Sequence, residues 1–252
     1  MHINSDINIL GSLTDWNLII WLSRNGQTIP IDKSDMYKFT SIKTTKSLTT
    51  NIKVINDNFL SFKDSEIKSL TKSVLNIYGI TNDTLLLLFW NAAANNELLF
   101  HLNEKVYFPA FYSGRVAIRN DEVIACIKEL KQSEDDLKKW SESTISVTSS
   151  KYLTLLKKFG LMEGSVNKSI KHPQLNDAMF VLFAYWIAAI SDKPNLVNSS
   201  WLSYCFSENQ TFLDRLLQKK FSKYFNVVYT GDKLSIEPII PYESIYEHIT
   251  KS

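Results

Sequence analysis

Residues 148–161 read Thr-Ser-Ser-Lys-Tyr-Leu-Thr-Leu-Leu-Lys-Lys-Phe-Gly-Leu. Tyr152, Leu155, Leu156 and Phe159 recur at the i, i+3, i+4, i+7 spacing that lays one apolar stripe along a helix. Thr148, Lys151, Thr154, Lys157 and Lys158 fall on its other faces. Ser146 can cap the start by accepting a backbone N–H, and Gly160 can take the left-handed conformation that closes the end, with Leu161 folding back on the last turn. Outward from this helix, residues 121–171 predict two shorter helices before it, a polar turn, and a hairpin after it. That is the order of a winged helix-turn-helix, whose third helix docks by one side and presents cations and hydroxyls to phosphate oxygens and base edges in a DNA major groove.

The local charge points the same way. Lys138, Lys139, Lys151, Lys157, Lys158, Lys168 and Lys171 stand between residues 138 and 171 against only Glu142 and Glu163, an electrostatic footprint for phosphates. In this reading the lysines neutralise phosphates and release counterions, while hydroxyls such as Ser150 and Thr154 fix the register. Lys151, Lys157 and Lys158 lie off the apolar stripe, so all three are expected to tolerate reversal to Glu without unfolding. The competing reading of the same residues is an ordinary amphipathic helix whose lysines meet only water.

Composition sets the frame. A chain of 252 residues with 44% hydrophobic and 12% aromatic residues can pack a large core in one or two domains, and we divide it into helical domains at 1–115 and 116–252. A formal net charge of +2 excludes a histone-like coat, so nucleic-acid affinity has to come from local patches. Cys126 and Cys205 offer neither a disulfide framework nor a metal cage; both fall among apolar residues, which suits inert core thiols in a reducing cytoplasm. No secretory signal is read at the N-terminus. The longest uncharged apolar run, residues 178–190, is shorter than the roughly 20 residues needed to span a bilayer and reads as a core helix, so no membrane partner is expected.

Elsewhere the pattern is also helical. A buried helix is predicted over 13–22, ended by Asn25-Gly26, and a second over 47–59, where Leu48, Ile52, Ile55 and Phe59 form the stripe. The polar side of the latter holds Lys46, Thr49, Thr50, Lys53 and Asn56, and residues 33–53 carry five lysines against Asp35. This side offers a second DNA-facing helix or a plain surface helix. An amphipathic helix over 64–78 closes at Gly79, a mostly buried one follows over 81–102, and Phe111 to Arg115 forms a loop with aromatic residues after Pro109. Past His172-Pro173 come the aromatic helix over 175–190, a loop at 192–195 and a helical stretch over 199–223. Residues 226–237 read as a hairpin around Thr-Gly-Asp-Lys, either a second wing or, preferably, a β-appendage that closes the core.

Signals for catalysis are missing from the sequence. There is no Gly-rich phosphate loop, nucleotide fingerprint or nucleophile elbow. His2, His101, His172 and His248 lack ligand spacing, and Glu134-Asp135-Asp136 suits the positive end of a helix dipole. No enzyme, metal or cofactor is expected.

Three segments together carry a family likeness: Leu85 to Lys105, with its apolar helix running into Asn-Glu-Leu-Leu-Phe-His-Leu-Asn-Glu-Lys; Trp140-Ser-Glu-Ser-Thr; and Ser-Ser-Lys-Tyr-Leu-Thr-Leu-Leu-Lys-Lys-Phe-Gly-Leu-Met at 149–162. Over roughly residues 10–190 the chain resembles BrxA, the small helical component of BREX bacteriophage exclusion systems. The resemblance implies a mainly α protein with a NusB-like helical core, helix-turn-helix elements and basic surfaces, which binds double-stranded DNA without catalysis beside other defence subunits. By position, Ser149, Ser150, Lys151, Thr154, Lys157 and Lys158 match the family's basic helix-turn-helix region, and Lys46, Thr50 and Lys53 an N-terminal one. The part after Ile190 and the slight overall basicity depart from the family pattern. The sequence thus predicts a mainly α helical bundle with a winged helix-turn-helix and small β-hairpins. Two other functions stay open: a protein-interaction scaffold that docks through the 175–190 helix or the 108–112 segment, and a NusB-like RNA-binding protein. A transcription regulator would need a specific site.

Overall fold

The computed structural model describes residues 3–14, 16–26, 38, 40–165, 168–191 and 195–251. His2, Lys33, Asp35 and the loop positions 192–194 lie outside the described residues. Helices α1 (Asp6–Leu10), α2 (Asn17–Asn25), α3 (Thr45–Phe59), α4 (Ser65–Tyr78) and α5 (Asn82–Asn95) come first. They are followed by α6 (Glu97–Leu102), a π-helical turn (Asn103–Tyr107), α7 (Phe108–Tyr112), α8 (Asn120–Ser133), α9 (Asp135–Lys138) and α10 (Glu142–Lys158). Strands β1 (Met162–Glu163) and β2 (Ser169–Ile170) precede α11 (Asp177–Ile190) and α12 (Asn209–Leu216), and β3 (Phe225–Tyr229), β4 (Leu234–Pro238) and α13 (Ile245–Thr250) end the order. The fold is mainly α with two small antiparallel hairpins, as the apolar spacing predicts.

Residues 1–61 and 80–172 form one compact unit, and residues 62–79 and 173–252 another. The division differs from the expected one at 115/116. Helix α4 packs on α11 and α13, so the chain departs after residue 61 and returns at 80, while α10 packs on α1 within the first unit. Pairings so distant in sequence leave no mark in composition.

In the first unit α3 starts at Thr44, whose hydroxyl accepts the Ser47 amide at 3.2 Å, and buries Leu48, Ile52, Ile55 and Phe59 among α1, α2 and α5. The single helix expected over 81–102 is two. Asn96 is extended at φ −127°, ψ 103°; its side-chain Oδ1 accepts the Leu99 amide at 2.9 Å, and its Nδ2 donates to Asn58 Oδ1 at 2.8 Å. Asn58 in turn donates to Asp6 and to the Val54 carbonyl, so the break between α5 and α6 is fixed by a satisfied buried polar chain. Four rings close the same region: Trp16, Phe59, Phe89 and Phe159.

The π-helical turn ends just before Pro109, which has no N–H to give to a helical ladder. Of Phe111 to Arg115, expected as a loop, Phe111 and Tyr112 end α7, with Phe111 buried and Tyr112 exposed, while Ser113, Gly114 and Arg115 lie beyond the helix. The first long helix begins at Asn17 rather than 13, and α1 before it is too short to show a period.

In the second unit α11 is buried from Met179 to Ile187. The hairpin β3–β4 pairs Val227 with Ile236 and Tyr229 with Leu234, and buries Phe225, Leu234 and Ile236 with β4 against α11, so it closes the core. The helical stretch expected over 199–223 is interrupted. A 3-10 turn at Ser200–Cys205 stops at Phe206, whose φ of 57° is left-handed, and a second such turn covers Lys219–Phe221. Arg215 lies 4.4 Å over the Phe180 ring and donates to the Leu175 carbonyl and Asp177. Among the described residues no helix is long and apolar enough to cross a membrane.

Two outcomes follow from this packing. A Cβ at Gly11 would stand 2.5 Å from the Lys151 carbonyl oxygen and 2.9 Å from Lys151 Cβ, so Gly11→Ala is expected to cost about 1–3 kcal/mol of stability in urea unfolding. Burial pushes the Glu104 carboxyl up to about 6, against a smaller opposing pull from Lys105, and its Oε1 meets no partner. The raised value favours the neutral form: its stabilisation is full below pH 4.5 and is lost as pH rises through about 6. Glu104→Gln should therefore be more stable than the parent at neutral pH, by on the order of 1 kcal/mol after allowance for solvent screening, with the gap closing in acid. A gap independent of pH would refute this.

Candidate nucleic-acid interface

Residues 116–171 follow the predicted order, all within the first unit. Helix α8 is followed by short α9, a three-residue turn, long α10 and the hairpin β1–β2. An extended segment joins the hairpin: Ala117 bridges Ser169, and the Ile170 amide donates to the Val116 carbonyl at 2.7 Å. Helix α8 packs on both α9 and α10, and β1 packs on α10. Residues 166–167 lie outside the described residues.

Helix α10 starts earlier than its sequence suggests. The cap is Ser141, whose hydroxyl accepts the Thr144 amide at 3.1 Å, and not Ser146. Ile145 extends the apolar stripe of Tyr152, Leu155, Leu156 and Phe159, all of which are buried. The positions between, Thr148 and Ser149, are wholly buried too. Both were expected to face DNA, and neither can. Ser149 returns its hydroxyl to the Ile145 carbonyl at 2.9 Å, and Thr148 Oγ1 meets no partner. A short hydroxylated side chain that bonds to its own helix passes for apolar in a core, which is why the sequence could not place these two.

The solvent side of α10 is a different row of hydroxyls. Ser143, Ser146 and Ser150 are exposed, Thr154 is half-buried, and Lys157 is exposed at the end. Val147, 46% exposed, supplies the apolar member. Ser143, Ser146 and Val147 were not among the expected contacts, and the signal that finds them is the helix start at Ser141.

The lysines divide. Lys138 pairs with Asp135, and Lys139 and Lys171 are exposed. Lys157 donates to the Gly164 carbonyl at 2.6 Å, and Lys168 to Thr154 Oγ1 at 3.1 Å. Burial, and then the charges of Lys157 and Lys151, push the Lys168 ammonium below its ordinary value, so these three cations share one field. Lys158 is turned away from that field, and its ammonium donates to the Leu13 carbonyl. Since Lys151 also abuts Gly11, reversing Lys151, Lys157 and Lys158 together would strain the packing as well as the surface, contrary to expectation. On α3, Lys46, Thr50 and Lys53 are exposed, with the Thr50 hydroxyl donating to the Lys46 carbonyl at 3.0 Å.

Burial raises the thiols, Cys126 up to about 11 and Cys205 upward, which fits unreactive cysteines. His172 stacks on Phe111. Among the described residues no group of three or more His, Cys, Asp or Glu is placed to hold a metal.

Residues 65–184 match the family model BrxA. The BrxA match runs from α4 into α11 and takes in α8 to β2, together with the three segments that carry the resemblance. It leaves out α3, and with it Lys46, Thr50 and Lys53, as well as everything after residue 184. No curated protein and no solved structure gives a significant match.

Thr148 separates a buried role from a DNA-facing one. Thr148→Val removes an unpartnered buried hydroxyl at nearly constant volume, so unfolding should show a gain of about 1 kcal/mol, and duplex affinity should not change. A loss of affinity in a stably folded variant would return Thr148 to the interface.

Proposed function

We propose that this chain binds double-stranded DNA, without catalysis, as an accessory component of a BREX-type defence system, where other subunits supply the chemistry. The observation that carries the reading is the exposed row Ser143, Ser146, Ser150, Thr154 and Lys157 on α10. It lies on the third helix of the run α8, α9, α10, which the hairpin β1–β2 follows. At 17 residues the helix is about 26 Å long, and a helix with small polar side chains outward fits a B-DNA major groove. Lys151 and Lys168 flank the row, and like Lys157 within it they have no carboxylate partner among the described residues. Contacts of this kind, hydroxyls and ammonium groups to the backbone, favour weak sequence preference and strong salt dependence.

One observation favours a second reading, an interaction scaffold. Leu217, Val228, Tyr229 and Ile239 of the second unit are exposed. The two segments expected to serve that role offer less apolar surface, since α11 is buried from Met179 to Ile187 and Phe108, Ala110 and Phe111 of the 108–112 segment are buried, with Pro109 and Tyr112 exposed.

The test is binding of the full chain to a labelled random-sequence duplex across a salt series, with single-stranded RNA as competitor. Affinity should fall linearly in log salt and survive the competitor. Lys157→Gln with Ser146→Asp, both at exposed positions, should weaken binding at least tenfold, by like-charge repulsion of phosphate, with unchanged thermal unfolding. A duplex that does not bind at low salt, or that RNA displaces at equal concentration, overturns the proposal in favour of the scaffold or of RNA.

A further inference from the structure

Beside α10 a cleft of about 470 Å³ is lined by Ile118, Arg119, Asn120, Ser150, Leu153 and Lys168. Its wall on one side is the start of α8, a 14-residue helix with Arg119 in the capping position and no side-chain cap. A guanidinium has no acceptor; the Glu122 amide turns back to the Arg119 carbonyl at 3.2 Å and the Glu122 carboxylate takes the Arg119 amide at 3.1 Å, so the donors that this helix start offers to another group are the amides of Asn120 and Asp121. From α10 comes Ser150, whose hydroxyl has only a long 3.4 Å bond to Asn120 Oδ1. Beside the hairpin stands Lys168, half-buried, with the neutral Thr154 hydroxyl as its partner.

The surrounding charges decide which ligand fits. The first-turn acids are already held: Glu122 takes two bonds of 2.7 Å from Arg115, and Asp121 and Glu122 each lie 3.4 Å from Arg119 Nε. Arginine so neutralises the acids, and Lys168 is left with Lys151 and Lys157 as its charged neighbours, which disfavour its ammonium after burial has done so. An anion in the cleft would relieve that repulsion. Donors from three elements, an ammonium, a hydroxyl and helix-start amides, suit a tetrahedral oxyanion.

We infer that this cleft is a phosphate site, which takes one backbone phosphate of the duplex through Lys168 Nζ, Ser150 Oγ and the amides that open α8. The inference rests on the duplex-binding reading of α10, because Ser150 belongs to both the cleft and the exposed row. Bound here, a phosphate would fix the helix in its groove, a positioning contact without base information.

Inorganic phosphate is the direct probe. Titrated into the full chain, it should give saturable amide shifts at Asn120 and Ser150 and a saturable shift of the Lys168 ammonium. These should be lost in Lys168→Gln and in Ser150→Ala and kept in Lys171→Gln, with the dispersed spectrum of each variant reporting a retained fold. Shifts that do not saturate, or that survive both cleft variants, overturn the site. In the duplex salt series Lys168→Gln should lower the slope by about one phosphate. An unchanged slope beside an intact phosphate titration assigns the cleft to free phosphate and overturns the backbone ligand. Parent protein that titrates phosphate and binds no duplex overturns the duplex reading and not the cleft.

Discussion

Phe159, the residue that closes α10, sits among Trp16, Phe59 and Phe89 with ring centroids 5.7, 6.1 and 5.4 Å away. Each partner belongs to a different segment: the start of α2, the end of α3 and the middle of α5. Offset and edge-on aromatic contacts constrain angle as well as distance, and here they hold one end of α10. The other contacts agree with that setting. Tyr152 donates to Asn103 Oδ1 at 3.1 Å in the π-helical turn, and Lys151 lies so close to Gly11 that only glycine fits there. With three sides of the helix fixed, the fourth is determined, and it carries Ser143, Ser146, Ser150, Thr154 and Lys157.

Much of this was legible in the sequence. The stripe Tyr152, Leu155, Leu156 and Phe159, the helix stop at Gly160, the hairpin over 226–237 and the mainly helical character of the chain follow from period, caps and turn residues. What was not legible depends on contacts far apart in the chain. Nothing near Thr148 and Ser149 marks them as buried, since their place in the core is set by α10 docking on other helices. Asn96 reads as one more residue of an apolar helix until Asn58 is placed beside it. The unit boundaries at 61/62 and 79/80 escape for the same reason, because α4 has its partners in α11 and α13. Among the candidate contacts, Lys158 shows the limit of face-counting: it lies off the apolar stripe, yet its ammonium reaches back to Leu13.

Charge is distributed more finely than its total of +2 suggests. Arg115, Arg119, Lys138, Arg215 and Lys220 are engaged with carboxylates, so they neither add much stability at the surface nor leave a full charge for a partner. Removing such pairs from the count leaves the cations near α10 as a concentrated local field. A phosphate approaching that region therefore meets a potential that neither net charge nor pI describes. The association should then be fast, salt-sensitive and short-lived, because release of a few counterions gives affinity without the buried contacts that slow dissociation.

That balance also bears on why such a surface would serve as one part of a larger machine. A row of serines, a threonine and one exposed valine offers few of the bidentate side-chain groups that separate one base pair from another, so on the proposed reading sequence choice would fall to another component. What the row does offer is orientation, because the helix that carries it is fixed by aromatic packing at Phe159 and by Tyr152 at its middle. A module with weak sequence preference and a fixed pose can hold a duplex in register for a partner while contributing only a modest affinity of its own. On the proposed reading, tethering to other DNA-contacting subunits would let its small contribution multiply theirs through effective concentration.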